Sequence, residues 1–91
     1  MWYVYILYSY KYKAFYKGLT RNLDNRLKRH FAGKEQTTKK MLPLELLHVE
    51  LCKSRVEARK LEKFFKSGYG REIIIELFSH AGVAKLADAQ S

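Results

Sequence analysis

The chain of 91 residues is long enough for one small domain, and its 47% hydrophobic and 14% aromatic content allows a core without covalent staples. The single cysteine, Cys52, excludes an internal disulfide and favours a reducing compartment, so we expect a cytoplasmic protein. Lysine and arginine number 18 against 9 acidic residues, a formal net charge of +9, which favours a partner that carries phosphates.

The positive charge is concentrated in residues 11–40, which we call the basic segment. It holds ten basic and two acidic residues, whereas residues 41–91 hold eight and seven. A lysine-rich solvated surface is one interpretation of this pattern, but its concentration in one stretch favours nucleic-acid binding. The apolar residues 1–7 follow no basic region and are too short to cross a bilayer, so we expect no membrane partner.

The first two elements are predicted to be strands. Residues 2–8 are apolar or aromatic on both alternating faces, which is typical of a central strand covered on both sides. The polar residues 9–13 predict a turn, and residues 14–19 predict a second strand that pairs antiparallel with the first. Alternation places Tyr16 and Gly18 on the same face of this second strand.

A helix is predicted over residues 22–32, with capping groups at residues 20–22 and an end at Gly33. Arg26 and His30 are four residues apart and therefore lie together on one flank of the apolar stripe. Residues 34–43 predict a basic, polar loop. The apolar stripe itself has the spacing i, i+4, i+8 and consists of Leu23, Leu27 and Phe31.

Residues 46–51 predict a third strand, and Ser54 can cap a second helix over residues 55–67. Residues 68–70 contain two glycines that should break this helix, residues 71–78 form a helix or a strand, and residues 79–91 form a loosely held tail. The resulting order, β-β-α-β-α-α, predicts an α+β domain over residues 1–78, a three-stranded, mainly antiparallel sheet flanked by helices. The second helix should bury Ala58, Leu61, Phe64 and Phe65.

Most common catalytic patterns are absent from the sequence. One cysteine and three scattered histidines have no zinc spacing, and there is no phosphate-binding glycine loop or dinucleotide fingerprint. Cys52 lies near His48, but its place at the end of an apolar strand favours a buried, inert thiol over a nucleophile. Tyrosine, arginine and glutamate side chains remain as the candidates for chemistry.

These residue types suit phosphodiester hydrolysis. Arginine supplies forked donors to a phosphate, and one or two carboxylates can hold Mg²⁺ or Mn²⁺ while water completes the ion's shell. A tyrosine can act as a general base only when a nearby cation lowers its pKa from about 10. The composition permits all three roles without requiring them, because each residue could also be an ordinary core or surface side chain.

An ordered set of short motifs resembles the GIY-YIG nuclease family. Residues 3–5 (Tyr-Val-Tyr) and 16–18 (Tyr-Lys-Gly) match its two name-giving motifs, and Arg26, His30 and Glu62 follow at the family's spacing. Residues 26–30, 43–46 and 62–68 are similar to the small standalone branch, which is itself similar to the GIY-YIG catalytic domain of the excinuclease. The resemblance covers residues 2–78.

The resemblance implies a metal-dependent endonuclease with five catalytic residues. Tyr5 and Tyr16 would orient or activate the attacking water, and the resemblance leaves open which of them is the base. Arg26 would bind the scissile phosphate, and His30 would hydrogen-bond near the phosphate or a tyrosine. Glu62 would hold one divalent ion, Mg²⁺ or Mn²⁺.

The supporting residues are expected as follows. Glu62 should look inward beside Ala58 and Phe65, while Glu57 is a rival ligand on the same helix. Gly18 should allow a close backbone approach beside Tyr16.

Three positions depart from the family pattern. Tyr3 replaces the first glycine of the first motif, as is common in the standalone branch. Lys17 replaces the isoleucine of the second motif, and we expect it to point outward as an added phosphate contact. Ile74 stands where some relatives carry an asparagine.

The predicted partner is nucleic acid, with DNA favoured over RNA. No separate recognition module is present, so cleavage should be directed by substrate structure with low sequence specificity, and a protein partner could supply targeting. The alternatives are a non-catalytic DNA- or RNA-binding module, whose exposed tyrosines stack on bases, and a protein-interaction domain. The residues predicted to bind nucleic acid are Lys17, Gly18, Arg21, Lys28, Arg29, Lys34, Lys39 and Lys40.

Overall fold

The computed structural model describes residues 1–80 and confirms the predicted α+β fold with a three-stranded antiparallel sheet and three α-helices. A short 3-10 turn at Lys39–Met41 interrupts the segment between the first helix and the third strand. No helix within residues 1–80 is both long enough and apolar enough to cross a membrane. The elements are β1 (Trp2–Ser9), β2 (Ala14–Thr20), α1 (Leu23–Phe31), β3 (Leu44–Cys52), α2 (Arg55–Lys66) and α3 (Gly68–His80).

The strand order is β2-β1-β3, so β1 is the central strand, and both of its neighbours run antiparallel to it. Residues from Val4 to Tyr8 are all buried, as the two apolar faces of β1 predict. One face carries Val4 and Ile6, which form the core cluster with side chains of β3, α2 and α3. The two faces of the sheet are therefore covered by different parts of the chain.

The other face of β1 carries Tyr5 and Leu7 and is covered by α1 and the loop that follows it. His30 of α1 contacts Tyr5, and the Ser9 hydroxyl at the end of β1 donates to the carbonyl of Met41 at 2.6 Å. We call this side of the sheet the tyrosine face and the side packed against α2 and α3 the helical face. The predicted site lies on the tyrosine face.

Both predicted helix caps are present. The Asn22 side chain accepts a hydrogen bond from the backbone of Asn25, and the Ser54 hydroxyl accepts one from the backbone of Glu57. Such caps satisfy backbone N–H groups that have no partner inside the helix. Gly33 follows α1 with a φ of 74°, a left-handed conformation that glycine adopts without strain.

The buried face of α1 differs from the predicted stripe. His30 is 1% exposed and is the buried residue of this helix, whereas Phe31 is 44% exposed. The reason is that α1 presents its flank to the tyrosine face, where His30 hydrogen-bonds to Tyr5. On α2, Ala58 and Phe65 are buried as predicted, but Phe64 is exposed.

The boundaries of the later elements also required correction. β3 begins at Leu44, two residues before its predicted start, and extends to Cys52. The glycines at 68 and 70 do not form a separate break, because Ser67 caps the end of α2 and α3 starts directly at Gly68. Gly70 lies so close to the backbone of Phe64 that no side chain fits there, which lets α3 cross the end of α2.

The residues after position 70 decide between the two predicted alternatives, since residues 71–78 are helical. α3 continues to His80, two residues beyond the predicted domain boundary at Phe78. The remainder of the predicted tail, residues 81–91, lies outside the residues that the structure describes.

Candidate active site

Three aromatic side chains from three different elements meet on the tyrosine face. The ring centroids of Tyr5 on β1 and Tyr16 on β2 are 6.3 Å apart, and His30 of α1 lies 5.5 Å from the first and 5.2 Å from the second. Strand pairing places Tyr5 opposite Gly18, so the two tyrosines lie on adjacent strands and the same face. The fold therefore brings together three of the five predicted catalytic residues.

A buried hydrogen-bond chain fixes two of these rings. The Tyr5 hydroxyl lies 2.8 Å from His30 Nε2, and His30 Nδ1 lies 2.6 Å from the Thr38 hydroxyl. Burial lowers the pKa of His30, with Glu35 acting against this and Arg26 adding to it. The neutral ring has one donor and one acceptor nitrogen, so either tautomer satisfies both neighbours. Tyr5 is therefore held in one position.

Gly18 provides the space that the Tyr5 ring occupies. A methyl group at this position would lie 2.5 Å from the Tyr5 oxygen, 2.6 Å from its Cζ and 3.1 Å from the Tyr16 ring. These distances are far shorter than ordinary contacts, which begin at about 3.5 Å. The predicted close approach at Gly18 is present in the structure, and glycine is required there so that Tyr5 can lie flat against β2.

Arg26 brings positive charge to the tyrosines. Its side chain is 38% exposed, and its guanidinium lies 4.0 Å from the carboxylate of Glu35. Burial raises the pKa of Tyr5, the neighbouring Tyr16 raises it further, and the charge of Arg26 acts in the opposite direction. Arg26 thus lies close enough to both phenols to favour their ionised forms, while part of its side chain remains open to solvent.

Tyr16 is the more accessible of the two phenols. It is half-buried, whereas Tyr5 is fully buried. Burial raises the pKa of Tyr16, Arg26 lowers it, and the carboxylates of Glu35 and Glu62 raise it. The influence of Glu62 means that its carboxylate lies within electrostatic reach of Tyr16, even though α2 packs on the other face of the sheet.

Glu62 is the candidate metal ligand. Its side chain is 13% exposed, and the ammonium group of Lys66, one turn later on α2, lies 3.4 Å from its carboxylate. Residues 1–80 contain no cluster of three histidine, cysteine or acidic side chains that could hold an ion. A metal near Tyr16 would therefore rest on one protein carboxylate, which suits Mg²⁺ because this ion retains most of its water.

The rival ligand Glu57 is engaged elsewhere. Its carboxylate accepts a hydrogen bond from the backbone of Lys53 at 2.9 Å, and its own backbone N–H donates to Ser54. This reciprocal arrangement stabilises the start of α2. The structure thus gives Glu57 a capping role at the first turn of α2, at the opposite end of the helix from Lys66 and the carboxylate that pairs with it.

The candidate thiol lacks an activating partner within the described part of the chain. Cys52 is buried, and burial raises its pKa, with the charges of Glu57 and Glu50 acting in the same direction. His48 Nε2 instead lies 3.3 Å from the carboxylate of Glu50. A thiol with a raised pKa is a poor nucleophile at neutral pH, in agreement with the prediction of an inert cysteine.

The predicted nucleic-acid contacts do not share one surface. Lys17 pairs with Ile6 across the sheet and therefore lies on the helical face, where it is half-buried. Burial, together with the nearby cations Arg71 and Lys66, lowers the pKa of Lys17. The expectation that it points freely outward was wrong, because α2 and α3 cover that face. The exposed members are Arg21, Lys28, Arg29, Lys34, Lys39 and Lys40.

Two site residues were missed in the sequence. Glu35 forms a 2.6 Å ion pair with Arg29, whose hydrogen bond lowers the pKa of this carboxyl group, and it also lies near Arg26. Thr38 is fully buried and accepts or donates the second hydrogen bond of His30. Glu35 had one detectable signal, as one of two acids in the basic segment, whereas Thr38 had none.

Comparison with known proteins agrees with this geometry. The sequence model of the GIY-YIG catalytic domain matches residues 1–73. The chain belongs to the GIY-YIG family. The solution structure of the UPF0213 protein BH0048 from Bacillus halodurans is similar, with 33% sequence identity, a TM-score of 0.52 and coverage of 85% of each chain. None of the curated proteins matches the chain.

Membership in the GIY-YIG family establishes the general character of the domain. The fold is of the nuclease type, and the family implies a nucleic-acid substrate. The two tyrosines of the name-giving motifs, Tyr5 and Tyr16, lie side by side on the adjacent strands β1 and β2. The conserved name of the family thus corresponds to one physical cluster on the tyrosine face.

Proposed function

We propose that this GIY-YIG domain is a divalent-metal-dependent endonuclease that hydrolyses phosphodiester bonds in DNA. The observation that carries the proposal is the convergence of Tyr5, Tyr16 and His30 within 5.2–6.3 Å of one another. Arg26 and Glu62 both act electrostatically on Tyr16. A base, a phosphate-binding cation and a metal-binding carboxylate thus surround one half-exposed phenol.

The two tyrosines have different proposed roles because their surroundings differ. Tyr16 is half-exposed and can contact a substrate water, so we assign it the role of general base. Tyr5 is fully buried and held by His30, so we assign it to positioning of the Tyr16 ring and the water. Both phenols have raised pKa values in the protein alone, so ionisation of Tyr16 needs additional positive charge nearby.

Arg26 is the proposed ligand of the scissile phosphate. A guanidinium donates two parallel hydrogen bonds to a phosphate and neutralises the charge that develops on its oxygens. Glu35 lies 4.0 Å away and keeps this side chain oriented without burying its charge. Substrate binding would exchange part of this weak ion pair for a stronger contact with phosphate.

Glu62 is the proposed ligand of one Mg²⁺ or Mn²⁺ ion. When bound, such an ion supplies Lewis-acid stabilisation of the leaving oxygen and positive charge beside Tyr16. Lys66 balances the charge of Glu62 in the protein alone, at 3.4 Å. This ion pair lies at the surface and is weak, so its exchange for a divalent ion costs little.

The proposed substrate preference follows from what the domain offers to DNA. Its exposed cations can contact phosphates, which position a duplex without reading its bases. We therefore propose cleavage that is directed by substrate structure and has low sequence specificity, as in DNA repair, with a protein partner for targeting. The proposed compartment is the cytoplasm, where the lone thiol of Cys52 would stay reduced.

The decisive experiment measures cleavage of labelled duplex, single-stranded and branched substrates, made as DNA and as RNA, with Mg²⁺, Mn²⁺ or EDTA. We expect metal-dependent cleavage that falls by at least about 100-fold in Glu62→Gln and in Arg26→Ala. Glu72→Gln, on an exposed position of α3, is the matched control and should retain full activity. Circular dichroism should show unchanged folding of all three variants.

Two results would contradict this proposal in different ways. Wild-type turnover in both Glu62→Gln and Arg26→Ala would remove this site from the reaction. Binding of the substrates without cleavage under every metal would instead support a non-catalytic nucleic-acid-binding module. That second function is consistent with the raised pKa of Tyr16, since a neutral phenol is a poor base.

A further inference from the structure

A second cationic feature lies at the end of the sheet where β1 begins and β2 ends. A groove of about 490 Å³ opens there, and it extends from the candidate active site to the start of α2. Its lining brings together residues from β1, the end of β2, α1 and α2. It includes Trp2, Thr20, Arg21, Asn25, Arg26 and Arg55.

Trp2 holds two of these arginines in place. The guanidinium carbons of Arg21, in the turn after β2, and of Arg55, at the start of α2, each lie 5.8 Å from the centroid of its ring. Cation–π contacts of this kind orient a guanidinium without consuming its hydrogen-bond donors. The two arginines are thereby held at one site, although α1 and β3 separate them in the sequence.

The charges of these arginines are available for a ligand. None of the ion pairs between residues 1–80 involves Arg21 or Arg55, and no carboxylate is among the groove residues that the structure describes. Both arginines are exposed. A groove with three guanidinium groups and amide side chains, and without a described acid, is suited to an extended polyanion.

Arg26 connects the groove to the reaction site. It lines the groove and also acts on the ionisation of Tyr5 and Tyr16. A strand whose scissile phosphate rests on Arg26 would therefore continue along the groove toward Arg21 and Arg55. Trp2 itself offers little to a base, because two guanidinium groups already lie against its ring.

We infer that this groove binds the sugar-phosphate backbone adjacent to the scissile bond, with Arg21 and Arg55 as its phosphate ligands. The inference rests on the proposed function and adds to it the path of the substrate strand. It also includes Arg55, which lies outside the basic segment in the sequence. The contact is with phosphates, so it should be independent of base sequence.

The test is a salt titration of DNA binding, measured by fluorescence anisotropy with a labelled oligonucleotide in EDTA, where no cleavage takes place. Each phosphate contact adds about 0.7–0.9 to the slope of log affinity against log salt concentration. Arg21→Ala and Arg55→Ala should each lower the slope by about this amount, and reduce affinity roughly five- to eightfold at about 0.1 M salt.

Lys11→Ala is the matched control, because it removes one positive charge from the turn at the opposite end of β1. It should leave the slope almost unchanged. Arg55→Lys keeps the charge and should retain more affinity than Arg55→Ala, which separates loss of a phosphate contact from a folding defect. Thermal unfolding of each variant, followed by circular dichroism, shows that the domain remains folded.

Trp2 is the single tryptophan of the chain and supplies a second, local measurement. Backbone binding in the groove should draw the guanidinium groups away from its ring and change its fluorescence, with the same Kd as the anisotropy. The change should disappear in the Arg21→Ala/Arg55→Ala double variant. A DNA-binding surface elsewhere on the domain would leave the fluorescence of Trp2 unaltered.

The outcomes separate this inference from the proposed function. If wild-type protein cleaves DNA while the arginine variants keep its slope, or lose no more than Lys11→Ala, the groove inference is overturned and the nuclease proposal stands. If the arginine variants lose affinity and the Trp2 signal, but no metal supports cleavage, the groove stands and the nuclease proposal fails. Absence of any binding by the wild type overturns both.

Discussion

Substitution of Gly18 by alanine tests how the active site is built. The added methyl group would lie 2.5 Å from the Tyr5 oxygen and 2.6 Å from its Cζ. Tyr5 is fully buried, and its oxygen lies 2.8 Å from His30, so the ring has no free space into which it can move. The clash must therefore displace either the β2 backbone or the Tyr5–His30 pair.

The magnitude follows from two opposing effects. Overpacking of a rigid core costs about 1–3 kcal/mol, whereas replacement of glycine by alanine gains about 0.4–1 kcal/mol through the unfolded state. The expected net loss in the free energy of unfolding is thus roughly 1–2 kcal/mol. Displacement of a catalytic group by about 1 Å can lower the rate by about 100-fold, so cleavage should suffer more than stability.

The assay combines urea unfolding at neutral pH, followed by circular dichroism, with single-turnover cleavage of DNA. Gly68→Ala is the matched control, because a methyl group at this position of α3 meets nothing within 4 Å among the described residues. It should leave the domain equally stable, or more stable by up to about 1 kcal/mol, with unchanged cleavage.

A double-mutant cycle locates the clash. Tyr5→Leu removes the ring atoms that the new methyl group would meet, so the double variant should lose less stability than the sum of the two single variants. If Gly18→Ala is as stable and as active as Gly68→Ala, the close contact between β2 and Tyr5 is not rigid. Tyr5 would then not act as a fixed positioning residue.

Three further predictions concern titratable groups. Because burial lowers the pKa of His30, its neutral form stabilises the fold above about pH 6.5, and this stability is lost as the pH falls through the folded pKa; His30→Gln should abolish that acid-dependent loss in urea unfolding. Because the pKa of Tyr16 is raised, cleavage should increase about tenfold per pH unit from about pH 6 to 8, and a Tyr16→Phe variant that retains this profile and rate would exclude Tyr16 as the base. Glu35→Gln removes the partner of Arg29 and should tighten DNA binding several-fold in anisotropy, since one negative charge beside Arg26 is lost.

Much of the fold follows from local patterns in the sequence. The doubly apolar stretch of β1 predicts a central strand, and polar residues at 9–13 predict the turn into β2. The spacing of Tyr5, Tyr16, Arg26 and Glu62 is sufficient to indicate the family before any coordinates are known. These features depend on neighbours in the chain, so periodicity and motif spacing report them directly.

Other features depend on which element covers which face, and a sequence pattern does not specify this. The burial of His30 in place of Phe31, and the half-burial of Lys17, arise because α1 and α2 lie on opposite faces of one sheet. The hydrogen bond of Thr38 and the ion pairs of Glu35 arise in the same way, from the path of the loop after α1.

The sequence by itself therefore determined the order of the elements, the central strand and the family. Tertiary structure alone decided that Tyr5 packs on Gly18, that His30 is buried beside it, and that Arg21 and Arg55 share Trp2. The physical reason is that such contacts join residues far apart in the chain. Their energies depend on burial and distance, which exist only after the sheet and helices have packed.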